Sequence, residues 1–148
     1  MKDSHPLKTV CGYLRDIDIE ASLSRGQLKI FDVNETYVRG GSLDPDTMIS
    51  LLDSMADAAL AEGYGVLRVP GETSWALNGF AGAEKLIECE SKLNRWFSGG
   101  RCAALCQYDG SRFNKTMLLD VVANHPVSII EREIVDSFRS AGRKLLRL

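Results

Sequence analysis

Apolar and polar positions along the chain follow two periods, one typical of amphipathic helices and one typical of strands. The most regular helical pattern begins at Asp44, which can cap a helix, and Pro45 suits the first helical position. Apolar residues then recur at helical spacing until Gly63. The same spacing predicts further helices over 7–14, around 21–23 with an end at Gly26, over about 83–97 and 114–123, and over 131–146.

Shorter segments between these helices have the apolar pattern of strands. They cover Gln27–Val33, Val66–Val69, Cys102–Tyr108 and Val127–Ile130. The third segment is almost continuously apolar, which is typical of a strand buried on both faces in a parallel sheet covered by helices. Because helices and strands alternate, the order predicts an α/β fold: a three-layer domain with a mostly parallel sheet, flanking helices and right-handed crossovers.

Length and composition favour one globular domain over residues 1–148. The chain is 45% hydrophobic and 26% charged, and no repeat, linker or charge run divides it. A net charge of −2 does not favour a nucleic-acid partner, which normally selects for a basic face. No apolar run approaches the roughly 20 residues that cross a bilayer, and the N-terminus lacks a signal-peptide core. The sequence therefore predicts a cytoplasmic domain with no membrane partner.

The familiar motifs of catalysis, nucleotide binding and metal binding are missing from the sequence. It contains no phosphate-binding GxxxxGK[ST] loop, no GxGxxG fingerprint and no GxSxG elbow. Both histidines, His5 and His125, precede proline, and His125 is interpreted as the end of a helix. The cysteines form no CxxC pair and have no histidine at zinc-site spacing; they are Cys11, Cys89, Cys102 and Cys106. We therefore expect no catalytic residue, no metal and no cofactor, and we interpret the cysteines as small apolar side chains.

Polar residues that follow two predicted strands are the candidate ligand site. In a parallel sheet the carboxyl ends of the strands line the ligand crevice. The candidate binding residues at these strand ends are Glu72, Trp75, Gln107, Tyr108, Asp109 and Arg112. A buried strand that ends in the hydrogen-bonding side chains of Gln107, Tyr108 and Asp109 calls for an explanation, because an unpaired buried polar group costs about 1–3 kcal/mol.

Most of these residues also have a purely structural interpretation. Trp75 either forms an apolar pocket wall or anchors its loop on the core. Glu72 either contacts a ligand or caps the helix that follows. Asp109 either belongs to the site or forms a turn with Gly110 that caps the next helix. Arg112 either closes the crevice or packs its loop.

Several segments carry a resemblance to a known family. They read GQL at 26–28, YVRGGSLDP at 37–45, RVPGETSWAL at 68–77, ECESKLN at 88–94, LCQYDGSRF at 105–113, LLDV at 118–121 and HP at 125–126. In this order they resemble the MEDS domain, the methanogen/methylotroph DcmR sensory domain, over about residues 20–130. The LCQYD and GETSWAL elements are the most specific.

The resemblance implies a fold similar to the RecA/KaiC-like ATPase core without a phosphate loop. MEDS domains occur in prokaryotic signalling proteins, alone or beside histidine kinase or DNA-binding modules, and their proposed role is sensing small hydrocarbon derivatives such as halogenated methanes. The expected function is thus a non-catalytic sensor of a small apolar organic molecule that signals to a partner protein. The alternatives are a ligand-free interaction or dimerisation module and a divergent nucleotide-binding ATPase.

The sequence departs from the family pattern at both ends. Family members usually begin with a further strand and helix, whereas only a short helical pattern precedes Gln27 here, so we expect an N-terminally shortened domain. If the missing strand is central to the sheet, its loss exposes an edge that can pair with a second copy or with a partner. The predicted last helix, with Arg139 and Arg143, replaces the usual Gly/Asn/Tyr-containing tail.

Overall fold

The computed structural model describes residues 17–130 and 133–136. Its contacts divide the chain into two compact units, Met1–Asp32 and Val33–Leu148. In the first unit, helix α1 (Ile19–Ser24) begins after Asp18, whose side chain accepts a hydrogen bond from the Ala21 amide at 2.9 Å. The short helix predicted around 21–23 is therefore confirmed. The helix predicted over 7–14 lies outside the described residues.

The strand predicted over Gln27–Val33 is wrong. Residues 27–32 form neither helix nor strand, and a short 3-10 helix occupies Val33–Glu35. Ile30 and Phe31 are 45% and 46% exposed. As neighbours, these two side chains would point to opposite faces of a strand, so the local pattern did not define one buried face.

In the second unit, helices and strands follow one another from Pro45 to Asp136. They are α2 (Pro45–Ala61), β1 (Leu67–Glu72), α3 (Leu86–Phe97), β2 (Cys102–Gln107), α4 (Lys115–Asn124), β3 (Val127–Ile130) and β4 (Glu133–Asp136), with 3-10 helices at Ser74–Asn78 and Ala83–Lys85. The mixed helix and strand content with a parallel strand pair confirms the α/β class. Within the described residues, no helix is long and apolar enough to traverse a bilayer.

Capping side chains set the helix boundaries that the sequence predicted. The Asp44 carboxylate accepts a hydrogen bond from the Thr47 amide at 2.7 Å, and Pro45 occupies the first turn of α2. The Asn114 side chain accepts one from the Met117 amide at 2.9 Å at the start of α4. α4 then ends at His125, which confirms that the His-Pro pair stops this helix.

The strands form two separate pairs. β1 and β2 are parallel, in register from Leu67 opposite Cys102 to Glu72 opposite Gln107. β1 continues through Pro70 to Glu72, beyond the predicted strand end at Val69. Proline is tolerated there because β1 has β2 as its strand partner on one side and is an edge strand among the described residues. β3 and β4 form an antiparallel hairpin, from Val127 opposite Asp136 to Ile130 opposite Glu133.

Two further predictions need correction. Residues 133–136 of the helix predicted over 131–146 form strand β4, because pairing with β3 overrides the helical spacing; the rest of that range lies outside the described residues. β2 is not buried on both faces, since Leu105 is 50% exposed and a shallow open groove runs over Arg68–Pro70 and Ala103–Leu105. The parallel sheet has two strands in the described part of the chain.

Helices α2 and α3 supply most of the main hydrophobic core. The buried core residues are Val38, Leu43, Met48, Leu52, Trp75, Leu86, Cys89 and Leu93. Their positions on α3 repeat at three- and four-residue spacing, which places one face of the helix against the core. A second, smaller cluster contains Phe113 and Leu118. Both clusters lie beside the end of β2, because Tyr108 packs against each of them.

Replacement of Gly82 by alanine is expected to lower the free energy of unfolding by about 2–4 kcal/mol. Gly82 has φ +78°, and an added Cβ would lie 2.4 Å from the Leu43 carbonyl oxygen, which is backbone and cannot move aside. Gly79 has φ +76° but nothing within 4 Å of the same added atom, so Gly79→Ala should show the conformational strain alone, about 1–2 kcal/mol. Urea unfolding measures both; equal losses would contradict the steric argument.

Candidate functional site

A buried carboxylate lies on the apolar face of α3. Glu90 is 3% exposed, and its neighbours on this face are Leu86, Cys89 and Leu93. A buried charge is costly unless it is paired and hydrogen-bonded. The partners of Glu90 therefore identify the polar centre of the domain.

Three side chains, two from the end of β2 and one from the end of α4, converge on Glu90. The Tyr108 hydroxyl donates a hydrogen bond to Oε1 at 2.7 Å, and the Cys106 thiol donates to Oε2 at 3.5 Å. His125 Nε2 lies 3.3 Å from the same Oε2. β2 positions Cys106, and Tyr108 directly follows its last residue. α3 positions Glu90, and the C-terminal end of α4 positions His125. We call these four residues the Glu90 cluster.

His125 and Glu90 form an ion pair within this cluster. Hydrogen bonds with Cys106 and Glu90 raise the pKa of His125 to about 10, although burial acts in the opposite direction. Burial alone would raise the pKa of Glu90, but the hydrogen bonds from His125 and Tyr108 hold it below its ordinary value. The imidazole Nδ1 lies 2.8 Å from the Val121 carbonyl oxygen, to which it donates, so the ring orientation is fixed.

The remaining two members of the cluster are protonated donors. Burial, followed by the negative charge of Glu90, raises the pKa of Tyr108 well above its usual value. Burial also raises the pKa of the Cys106 thiol. A reactive cysteine needs a lowered pKa, so this thiol has the character of a hydrogen-bond donor and not of an activated nucleophile.

A cavity of about 720 Å³ adjoins the Glu90 cluster. Cys106, Tyr108 and His125 contribute to its wall, as does Gln107. The rest of the wall is mainly apolar and includes Leu118, Val121, Val122, Val127, Ile129 and Ile130. Pockets for small molecules commonly have this size and this combination of apolar walls with a few polar groups.

The structure places the predicted site residues in different surroundings. Gln107 and Tyr108 line the cavity together. Glu72 accepts a hydrogen bond at 2.8 Å from the amide of Ser74, the first residue of the 3-10 helix Ser74–Asn78. Asp109 accepts hydrogen bonds from Ser111 at 2.9 Å and 2.6 Å, from its amide and its hydroxyl, and so closes a turn.

The other two predicted residues lie away from the cavity lining. Trp75 is 6% exposed and packs in the main core, with its ring centroid 4.9 Å from that of Tyr37 and 6.3 Å from that of Phe80. Arg112 is exposed, and its amide bonds to the Asp109 carbonyl in the same turn. The structure thus unites Gln107 and Tyr108 at one cavity and places Glu72, Trp75, Asp109 and Arg112 elsewhere.

Sequence reasoning missed Glu90, Cys106 and His125 as members of one site. The signal for Glu90 was available, because it is an acidic residue at an apolar position of an amphipathic helix, three residues before Leu93. His125 does end α4, as predicted, and its ring has a second role in the cluster. No spacing rule relates these three residues, since they come from three elements.

The fold is that of an α/β domain with a mainly apolar cavity beside the Glu90 cluster. The chain belongs to the MEDS family: the model of the methanogen/methylotroph DcmR sensory domain matches residues 3–126 of the 148. This match confirms the predicted resemblance and begins nearer the N-terminus than the segments that suggested it. No curated protein and no solved structure matches the chain.

Proposed function

We propose that this MEDS domain is a non-catalytic sensor that binds a small, mainly apolar organic molecule in the 720 Å³ cavity and signals to a partner protein. The cavity is the observation that carries the proposal, because it combines an apolar wall with polar groups at one end. Membership of a sensory family supports the same role. The protonated Cys106 thiol supports binding over nucleophilic catalysis.

The cavity favours a ligand with an apolar body and one polar end. Leu118, Val122 and Ile129 offer an apolar surface to the body. Gln107 stands beside the Glu90 cluster at the polar end, where its side-chain amide can hydrogen-bond to a hydroxyl, carbonyl or halogen substituent. A hydrocarbon derivative meets both requirements.

Signalling in this proposal is a shift between two arrangements of the cavity wall. β2 and α4 form one part of the wall, and β3 forms another. A ligand changes the population of two states only if it binds one of them more tightly. We infer that β1 and β2 belong to a larger RecA-like sheet, and that the output partner is a histidine kinase or a transcription regulator.

Filling the cavity should abolish ligand binding. Val122→Trp places a large side chain in the cavity, whereas Leu60→Trp places one at a half-exposed position of α2 outside the lining. The measurement is the melting temperature with dichloromethane, with a series of 1-alkanols of increasing length and, separately, with nucleotides. For the wild type and Leu60→Trp, a compound at 100 times its Kd should stabilise the fold by about 2.7 kcal/mol, which is several degrees in Tm.

The outcomes of this titration separate the candidate functions. An equal Tm rise in Val122→Trp and the wild type would show that the cavity is not the binding site. A rise with nucleotides alone would favour the ATPase alternative. If no compound raises the Tm of a cooperatively folded sample, the interaction module becomes the better explanation.

One observation favours that second candidate function, a ligand-free interaction module. Leu105, Val127, Ile129 and Ile134 lie on β2, β3 and β4 and are between 50% and 75% exposed. Exposed apolar side chains on neighbouring elements commonly mark a protein contact. Ile134→Lys would then disrupt a complex detected by analytical ultracentrifugation, and unchanged sedimentation would remove this alternative.

A further inference from the structure

We propose that Glu90, Cys106 and His125 bind a zinc ion whose fourth coordination position opens into the cavity. Metal binding needs no organic molecule, so this inference goes beyond the proposed sensor function and is measured independently of it. Among the described residues, these three supply donor atoms that all lie within 4.8 Å of one another.

The distances between the donor atoms suit a tetrahedral ion. The Cys106 sulfur lies 3.5 Å from Glu90 Oε2, and His125 Nε2 lies 3.3 Å from the same oxygen. Tetrahedral zinc bonds of about 2.3 Å to sulfur and about 2.0–2.2 Å to nitrogen and oxygen separate neighbouring ligand atoms by about 3.3–3.6 Å. Both measured separations match these values, and the third, between Cys106 Sγ and His125 Nε2, is at most 4.8 Å.

The surrounding hydrogen bonds already orient two of the ligands. His125 Nδ1 donates to the Val121 carbonyl at 2.8 Å, which directs Nε2 towards the cluster. The Tyr108 hydroxyl occupies Oε1 of Glu90 at 2.7 Å, which leaves Oε2 for the ion. Histidine and carboxylate ligands of metals usually have such outer partners, because these fix the tautomer and the direction of the donor atom. This orientation of the ligand side chains is an observation independent of the distances between the donor atoms.

The donor set and its charge favour zinc. Thiolate, imidazole and carboxylate are the ligands that zinc commonly takes in proteins. On binding, Zn²⁺ replaces the proton of the Cys106 thiol and the Nε2 proton of the His125 imidazolium, and both protons leave to solvent. The ion then bonds to one thiolate, one carboxylate and one neutral imidazole. The charges balance in this buried place, as they do in the ion pair that the metal replaces.

The open coordination position would allow the zinc ion to bind a further donor atom from a molecule in the cavity. Cys106 and His125 both line the cavity whereas Glu90 does not, so the proposal assigns the open position of the ion to the cavity side. Three protein ligands with one open position are typical of zinc sites that bind water or an exogenous donor. If the proposed function is right, a hydroxyl, thiol or carboxylate on the ligand would bind this ion while the apolar body fills the cavity.

Metal titration of the full chain tests the site directly. After treatment with EDTA and its removal, Zn²⁺ is titrated in competition with a chromophoric chelator, and Co²⁺ is titrated separately for its absorption spectrum. The wild type should bind one equivalent of zinc. The cobalt form should show a near-ultraviolet thiolate charge-transfer band and the intense visible bands of a tetrahedral site.

Matched variants assign the metal to these residues. Cys106→Ser should lose the charge-transfer band and weaken zinc binding at least about 100-fold, and His125→Asn should weaken it similarly. Cys102→Ser changes a buried cysteine of the same strand outside the cluster and should keep wild-type affinity. Circular dichroism confirms that each variant is folded.

Three results would overturn the proposal: no stoichiometric zinc in the wild type, wild-type affinity in Cys106→Ser, or a cobalt spectrum without the thiolate band. The last result needs no variant, so a failure of Cys106→Ser to fold does not weaken the test. If the protein does not bind zinc but alkanols still raise its Tm, the zinc proposal fails and the sensor function stands. A missing alkanol response in the zinc-loaded protein would contradict the sensor function alone.

Discussion

Replacement of Glu90 by alanine is expected to lower the free energy of unfolding by about 3–5 kcal/mol, the usual effect of breaking a buried ion pair from one side. The change removes the acceptor of the Tyr108 hydroxyl and of the Cys106 thiol. It also leaves the His125 imidazolium, whose side chain is 20% exposed, without its carboxylate. Domains of this kind are stable by about 5–15 kcal/mol, so the loss is a large share of the total.

Urea unfolding in the presence of EDTA measures this change without a contribution from metal. Glu88→Ala is the matched control, two positions earlier on α3. Glu88 has a side chain that is 55% exposed and lies 3.4 Å from Lys92 in an i,i+4 pair, so its loss should change stability by less than about 0.5 kcal/mol. Similar losses in the two variants would mean that the Glu90 cluster does not stabilise the fold.

Replacement of Trp75 by alanine should likewise lower the free energy of unfolding by about 3–5 kcal/mol. Trp75 is 6% exposed and contacts the rings of Tyr37 and Phe80 in the main core. The sequence allowed a different result, in which the fold survives and only ligand binding weakens. The position of Trp75 outside the cavity lining favours the loss of stability instead.

A phenylalanine substitution separates packing from polarity at the same position. The indole N–H of Trp75 is buried and has no hydrogen-bond partner among the described residues. Trp75→Phe removes this unpaired donor and keeps most of the apolar area, so it should cost well under half of the Trp75→Ala loss. Chemical denaturation and alkanol-dependent melting report the two effects. Undiminished stability in Trp75→Ala together with weaker alkanol binding would restore Trp75 as a pocket wall.

The sequence predicted the elements whose signals are local. Asp44 and Asn114 cap helices through their own side chains, and His125-Pro126 stops α4 through the restricted backbone of the pair. The errors over 27–33 and 133–136 concern segments whose conformation depends on pairing. A strand forms only when it pairs with another strand, and the local sequence of one segment does not show whether such a partner is present.

The site was predictable only in part, for a related reason. Tyr108 and Gln107 could be found because strand ends in parallel sheets face a crevice. Glu90 and His125 could not be joined to Cys106 by spacing, since packing of α3 and α4 beside β2 creates their contact. A charged residue in an apolar stripe is the one local sign of such a centre, and it marks Glu90.

The parallel pairing of β1 with β2 also affects the stage of folding at which the candidate site forms. Leu67 pairs with Cys102, so the chain segment that connects the two strands, which includes α3, must be closed as a loop when they pair. Closing so long a loop is entropically costly, and contacts between distant parts of the chain slow folding. We therefore expect Glu90, Cys106 and His125 to meet only late in folding. We expect binding competence to arrive with the complete fold, so that no early folding intermediate competes for the ligand.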